Sequence, residues 1–110
     1  MTIRQLEYFL SAARTLSFTK TAQAFYISQS AITQQIKSLE EELDVKLFWR
    51  NNNQIRLTPV GELFVPEADA IVSRLKEAQE KLHAARDGMT GSLSIGYLQS
   101  VEMPQFPGSI

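Results

Sequence analysis

Five polar side chains close together in this 110-residue chain carry the clearest chemical potential: Gln29, Ser30, Thr33, Gln34 and Lys37. A glutamine carboxamide can donate and accept at once, and so can pair bidentately with the N6 and N7 edge of adenine. Serine and threonine hydroxyls can contact several bases, and a lysine ammonium neutralises phosphate. Such a group reads a base edge only when a helix narrow enough for the major groove presents it. A tight turn and a buried opposite face must hold that helix in place. The plainer alternatives are a merely solvated polar face, or a helical protein-interaction module in which these residues do nothing specific.

The elements that would position the group can be read from periodicity. Leu6, Phe9, Leu10 and Ala13 follow the i, i+3, i+4, i+7 spacing of an amphipathic helix over about Arg4 to Thr15. Ser17 is a good N-cap for a short second helix reaching about Phe25, with Phe18, Ala22 and Phe25 as its apolar residues. Ser28 caps a third helix, and Ile27 with Ile32 suits a hydrophobic staple. Ile32, Ile36, Leu39 and Leu43 then share one narrow arc of this helix, with Ser30, Gln34, Lys37, Ser38 and Glu41 opposite and Gln29 and Thr33 on the flank. The second helix, a turn at Tyr26-Ile27 and the third helix meet the physical requirements of a helix-turn-helix. The free N–H groups at the starts of the second and third helices could each receive a phosphate oxygen.

The period then changes. Leu47-Phe48-Trp49-Arg50 and Ile55-Arg56-Leu57-Thr58 are rich in strand formers, and Asn51-Asn52-Asn53-Gln54 between them suits a hairpin turn. Trp49 reads as a packing residue of that hairpin. Thr58-Pro59 opens a fourth helix that can continue to Arg86, stopped by Asp87-Gly88. Its 28 residues would span roughly 42 Å, and Pro66 should kink or delay its regular part. Phe64, Ala68, Ile71, Leu75, Ala78 and Leu82 form a heptad seam, and a helix this long has more stripe than so small a domain can bury. Pairing between subunits is the expected use of that seam. His83 falls on the outer, solvated face. Ser92 to Tyr97 alternates polar and apolar residues like a single strand, and Leu98 to Ile110 has no clear period.

Composition narrows the classes. The chain has no cysteine and one histidine, His83, which excludes disulfides, thiol catalysis, cysteine-based zinc sites and histidine-pair metal sites. No carboxylate pair, nucleophile–base set or phosphate loop is visible, so neither an enzyme nor a cofactor is expected. The N-terminus lacks an apolar signal core and no apolar run approaches membrane-spanning length, which makes a cytoplasmic protein the expectation. The net charge of −1 hides an asymmetry: residues 1–58 hold seven basic and five acidic side chains, and residues 59–110 hold four and seven. The first part is therefore the side better suited to an anion.

Residues 1–96 resemble the N-terminal part of LysR-type transcriptional regulators. The resemblance is carried by Arg4-Gln5-Leu6 with Phe9, by Ser17-Phe18-Thr19-Lys20-Thr21-Ala22, and by Ile27 to Ile36. Leu39-Glu40-Glu41-Glu42-Leu43, Leu47-Phe48-Trp49-Arg50 and Leu57-Thr58-Pro59-Val60-Gly61 continue it in order. It implies a mainly α fold: a winged helix-turn-helix of three helices and a β-hairpin wing over 1–58, then a coiled-coil-like linker helix over 59–87. Residues 88–110 would be the stub of a truncated effector domain, a cut-down or naturally shortened chain without ligand sensing; a small-molecule co-inducer is expected only for a full-length relative. It further implies sequence-specific binding of double-stranded DNA at an interrupted inverted repeat, by a homodimer or a tetramer. Carried over by position, base reading falls on Gln29, Ser30, Thr33 and Gln34, and phosphate contact on Ser17, Thr19, Lys20, Ser28 and Lys37. Wing contact falls on Arg50, Asn52, Asn53 and Arg56. Relatives often carry arginine in the place of Gln34 and a basic wing tip, so this chain replaces a guanine reader by an adenine-capable amide.

Overall fold

The structure, a computed structural model, describes residues 1–52 and 54–89. Three helices come first: α1 (Ile3–Thr15), α2 (Phe18–Phe25) and α3 (Gln29–Leu43). Each starts where a hydroxyl residue can accept from its first turn. Thr2 and Gln5 form a reciprocal capping box on α1, Ser17 accepts from the Lys20 amide, and Ser28 accepts from the Ala31 amide. Each ends on a residue in the left-handed region, Leu16, Tyr26 and Asp44, with φ of 54°, 59° and 57°. Their amides return to carbonyls of the preceding turn and close the helices without a glycine.

The hairpin consists of β1 (Phe48–Asn51) and β2 (Gln54–Leu57), antiparallel, with Phe48 opposite Leu57 and Trp49 opposite Arg56. Asn52 takes the positive φ of the turn, 50°, as its short polar side chain allows. Helix α4 (Pro59–Met89) follows at once and passes through Pro66. It runs through the Asp87-Gly88 stop read from the sequence and ends one residue beyond it, at Met89; nothing crowds Gly88, whose missing side chain leaves open space. The expected strand at Ser92–Tyr97 and the stub over 88–110 lie, apart from Gly88 and Met89, outside the described residues.

The chain divides into two units, the first Met1–Arg74 and the second beginning at Leu75. In the first, α1, α2, α3 and the hairpin enclose Leu6, Phe9, Ala12, Phe18, Ile32, Ile36, Leu39, Leu47 and Phe48. Phe9 lies at the centre, with ring centroids 5.6 Å from Phe48 and 5.0 Å from Phe64, and Phe18 meets Phe48 edge-on at 5.5 Å. Such pairs add to the gain from burial itself.

The first turns of α4 belong to this core. Ala68 is fully buried, Val72 nearly so, and Phe64 packs on Phe9. The seam therefore divides, contrary to a reading in which all six residues face a partner. Three short helices and a two-stranded hairpin make a small core, and the start of α4 covers one side of it. Gly61 shows how closely α4 approaches: a Cβ there would stand 2.2 Å from the Leu47 carbonyl oxygen. Thr58 fastens the junction, donating to the Lys46 carbonyl at 2.6 Å and accepting from the Gly61 amide at 2.9 Å.

Candidate nucleic-acid interface

At about 100° per residue, Gln29, Thr33 and Glu40 fall on one flank of α3, beside the Ile32–Ile36–Leu39 stripe. This flank organises the site. At its C-terminal end Glu40 is 4% exposed, and its carboxylate accepts from the Leu47 amide at 2.8 Å and the Phe48 amide at 3.2 Å. The second oxygen takes the Arg50 guanidinium at 3.1 Å. One side chain thereby ties the base of the wing to α3. At the N-terminal end the Thr19 hydroxyl, from the first turn of α2, donates to Gln29 Oε1 at 3.1 Å.

Between these two ties lies an open cleft lined by Ser17, Thr19, Gln29, Thr33, Arg50 and Asn52, among others. Candidate phosphate, base and wing residues thus share one concavity. A second, broader surface runs along α3 and is lined by Gln29, Ser30, Thr33, Gln34 and Lys37. All are exposed except Thr33, which is half-buried. Gln29 and Thr33 belong to both surfaces. Lys20 is exposed on α2, and Ser28 caps α3 with its hydroxyl 3.2 Å from that of Ser30.

Two wing residues stand differently from their sequence reading. Arg50 is committed to Glu40, and its guanidinium lies over the Phe18 ring at 5.5 Å. It braces the wing from beneath and is not a free cation at its edge. Trp49, read as a packing residue, is 57% exposed. Alternation in a strand requires this: with Phe48 turned into the core, Trp49 must point outward beside its cross-strand neighbour Arg56, also exposed. Asn52 is exposed at the turn, and Asn53 lies outside the described residues. On α4, Ile71 is 41% and Leu82 69% exposed, Leu75 and Ala78 are half-buried, and His83 is exposed.

Sequence reasoning did not single out Glu40 or Gln35. Gln35 accepts from Gln5 Nε2 at 3.0 Å, and the same Gln5 caps α1, so this pair joins the start of α1 to the middle of α3. Glu40 carried a signal, a charge only about 40° from Ile36 on the wheel and hence at the margin of the buried stripe. Among the described residues no group of three or more His, Asp or Glu side chains is placed to hold a metal, and no helix is long and apolar enough to cross a membrane.

Residues 3–62 match the family of the bacterial regulatory helix-turn-helix protein, lysR family. The HTH-type transcriptional regulator BudR of Klebsiella aerogenes is 42% identical over 100 residues, covering 91% of this chain and 70% of BudR. CfxR of Cupriavidus necator, also an HTH-type transcriptional regulator, is 35% identical over 91% of this chain, which spans 32% of CfxR. Among solved structures, the CbnR_DBD–DNA complex superposes with a TM-score of 0.75 and 32% identity, over 78% of this chain and 99% of that one.

Proposed function

The chain belongs to the lysR family of bacterial regulatory helix-turn-helix proteins, and from that membership we propose that it is a sequence-specific DNA-binding regulator of transcription. The observation that carries this reading is the arrangement along α3. A row of donors and acceptors, exposed except for the half-buried Thr33, stands toward the N-terminal end of a helix whose other face buries Ile32, Ile36 and Leu39. A wing is tied to the same helix across a shared cleft. In this reading α3 enters the major groove and Gln29, Ser30, Thr33 and Gln34 meet base edges. Ser17, Lys20, Ser28 and Lys37 meet phosphates, and Asn52 and Arg56 of the wing reach the adjacent backbone.

The reading assigns no catalysis and a place in the bacterial cytoplasm, at the nucleoid. The reading head comprises residues 1–58 together with the first turns of α4, the rest of α4 being the linker. Two copies pair through the exposed apolar residues of α4, Ile71 and Leu82, with Leu75 and Ala78. A twofold dimer calls for two half-sites related by inversion.

Selection of bound sequences from a random DNA pool tests the proposal. Enrichment of an interrupted inverted repeat is expected, with affinity that falls as salt rises. A pool that stays random, with binding absent even at low salt, would reject DNA recognition and leave the α4 face as a protein-binding surface.

A further inference from the structure

We propose that Thr19 is a positioning residue that tethers the Gln29 amide at the cleft, and through it sets part of the sequence preference. This rests on the reading of Gln29 as a base reader. The observation is the hydrogen bond from Thr19 Oγ1 to Gln29 Oε1, 3.1 Å long, between the first turn of α2 and the first residue of α3. Both residues are exposed and both line the cleft beneath the wing.

The physical reason lies in the glutamine side chain. Its last torsion is broad and roughly twofold, and the oxygen and NH2 ends have nearly the same shape. Unrestrained, the amide turns over at little cost. The Thr19 hydroxyl, bonded to Gln29 Oε1, tethers one end of the amide to α2 and turns the other end toward a ligand.

Placement then bears on base reading. Adenine presents an amino donor at N6 beside an acceptor at N7, so a carboxamide matches it in one order and opposes it in the other. Guanine presents two acceptors there, N7 and O6, and favours the NH2 end at both. An amide already tethered in place meets these edges at a set reach and loses less side-chain freedom on binding than one that is free to swing. The same geometry bears on the role that the family resemblance implies for Thr19. While its hydrogen is held by Gln29 the hydroxyl cannot donate to a phosphate, so phosphate contact near the start of α2 is left to backbone N–H groups and Lys20.

The test is competitive binding of the intact chain to its pool-selected sequence, to that sequence with single adenines replaced, and to scrambled DNA, each over a range of salt. Thr19→Val keeps the branched shape and removes the hydroxyl; Thr19→Ser restores it. Thr19→Val is expected to lower the preference for the selected site by roughly three- to tenfold, the value of one hydrogen bond, with scrambled-DNA affinity and salt slope unchanged. Thr19→Ser should recover the preference. Gln29→Ala should lose at least as much, and Thr19→Val should add nothing to it. Thr19→Ala serves in place of valine if that variant melts early. A uniform loss on all DNA with a flatter salt slope would make Thr19 a phosphate contact and overturn the proposal. Preference lost in Gln29→Ala but kept in Thr19→Val would overturn the positioning role alone. Preference kept in Gln29→Ala would remove Gln29 as a reader, and the proposal with it.

Discussion

The Glu40 carboxylate and the Arg50 guanidinium, ten residues apart in sequence, meet at 3.1 Å under the base of the wing. Around them the Leu47 and Phe48 amides point at the same carboxylate and the Phe18 ring lies against the arginine. A charge at the edge of a core is tolerated when it is paired and its remaining lone pairs are filled, and Glu40 satisfies both conditions. The arrangement makes the wing an extension of α3, so a helix in a groove and a strand turn beside it keep one spacing.

Glu40→Ala should therefore be among the most damaging single changes in the winged unit. It leaves two buried amides without acceptors and a half-buried guanidinium without its partner. A loss of about 3 kcal/mol is expected by urea unfolding. Glu40→Gln should cost less, because its carbonyl oxygen still accepts. A loss below about 1 kcal/mol for the alanine variant would mean that water replaces the carboxylate and that the wing is held by its apolar residues alone.

Gly61→Ala tests how tightly α4 seats on the strand entrance. The new Cβ would meet the Leu47 carbonyl oxygen at 2.2 Å and the Leu57 side chain at 2.9 Å. Backbone cannot swing aside as a flexible side chain can, so the helix start must shift. About 2 kcal/mol of destabilisation follows from comparable overpacking, which in a unit of this size lowers Tm by roughly 8 °C or more. A melting curve that matches the unaltered protein would show that α4 approaches less closely.

Much of this architecture is readable in the residues themselves. Ser17, Ser28 and Thr58-Pro59 mark three helix starts, and the four-three-four spacing of Ile32, Ile36, Leu39 and Leu43 marks the buried face of α3. The helix ends are harder to read. Leu16, Tyr26 and Asp44 adopt the conformation for which glycine is the usual signal, and a β-carbon there gives no warning. The Glu40 tie depends on a chain reversal at Asp44 that brings Leu47 and Phe48 back to α3, and periodicity holds no record of such a reversal. The outward turn of Trp49 was available from strand alternation, once Phe48 is assigned to the core. The division of the α4 seam was not, because heptad spacing looks the same whether a residue meets its own domain or a second chain.

That division predicts opposite results from similar substitutions. Ile71→Glu and Leu82→Glu place a charge on residues already exposed in the single chain. Both should keep their helical content by circular dichroism, yet give monomers by light scattering and bind a two-half-site DNA more weakly. Ala68→Glu buries an unpaired carboxylate in the winged core and should lose several kcal/mol, enough to unfold the unit. Dimers that persist in both surface variants would place subunit pairing elsewhere than this face of α4.

The two wing arginines should separate in the same way under salt. Arg56 is exposed on the outer face of β2, opposite Trp49, so its charge is available to a phosphate. Arg56→Ala should leave stability unchanged and lower the slope of log affinity against log salt by about 0.9, the value for one phosphate no longer neutralised. The charge of Arg50 is already matched by Glu40, and a matched guanidinium releases no counterions from DNA. Arg50→Ala should thus lower stability, by about 2 kcal/mol, and leave the salt slope unchanged at a temperature where the variant is folded. A slope that falls in Arg50→Ala and holds in Arg56→Ala would reverse the assignment, and would mean that Arg50 releases Glu40 when the wing meets DNA.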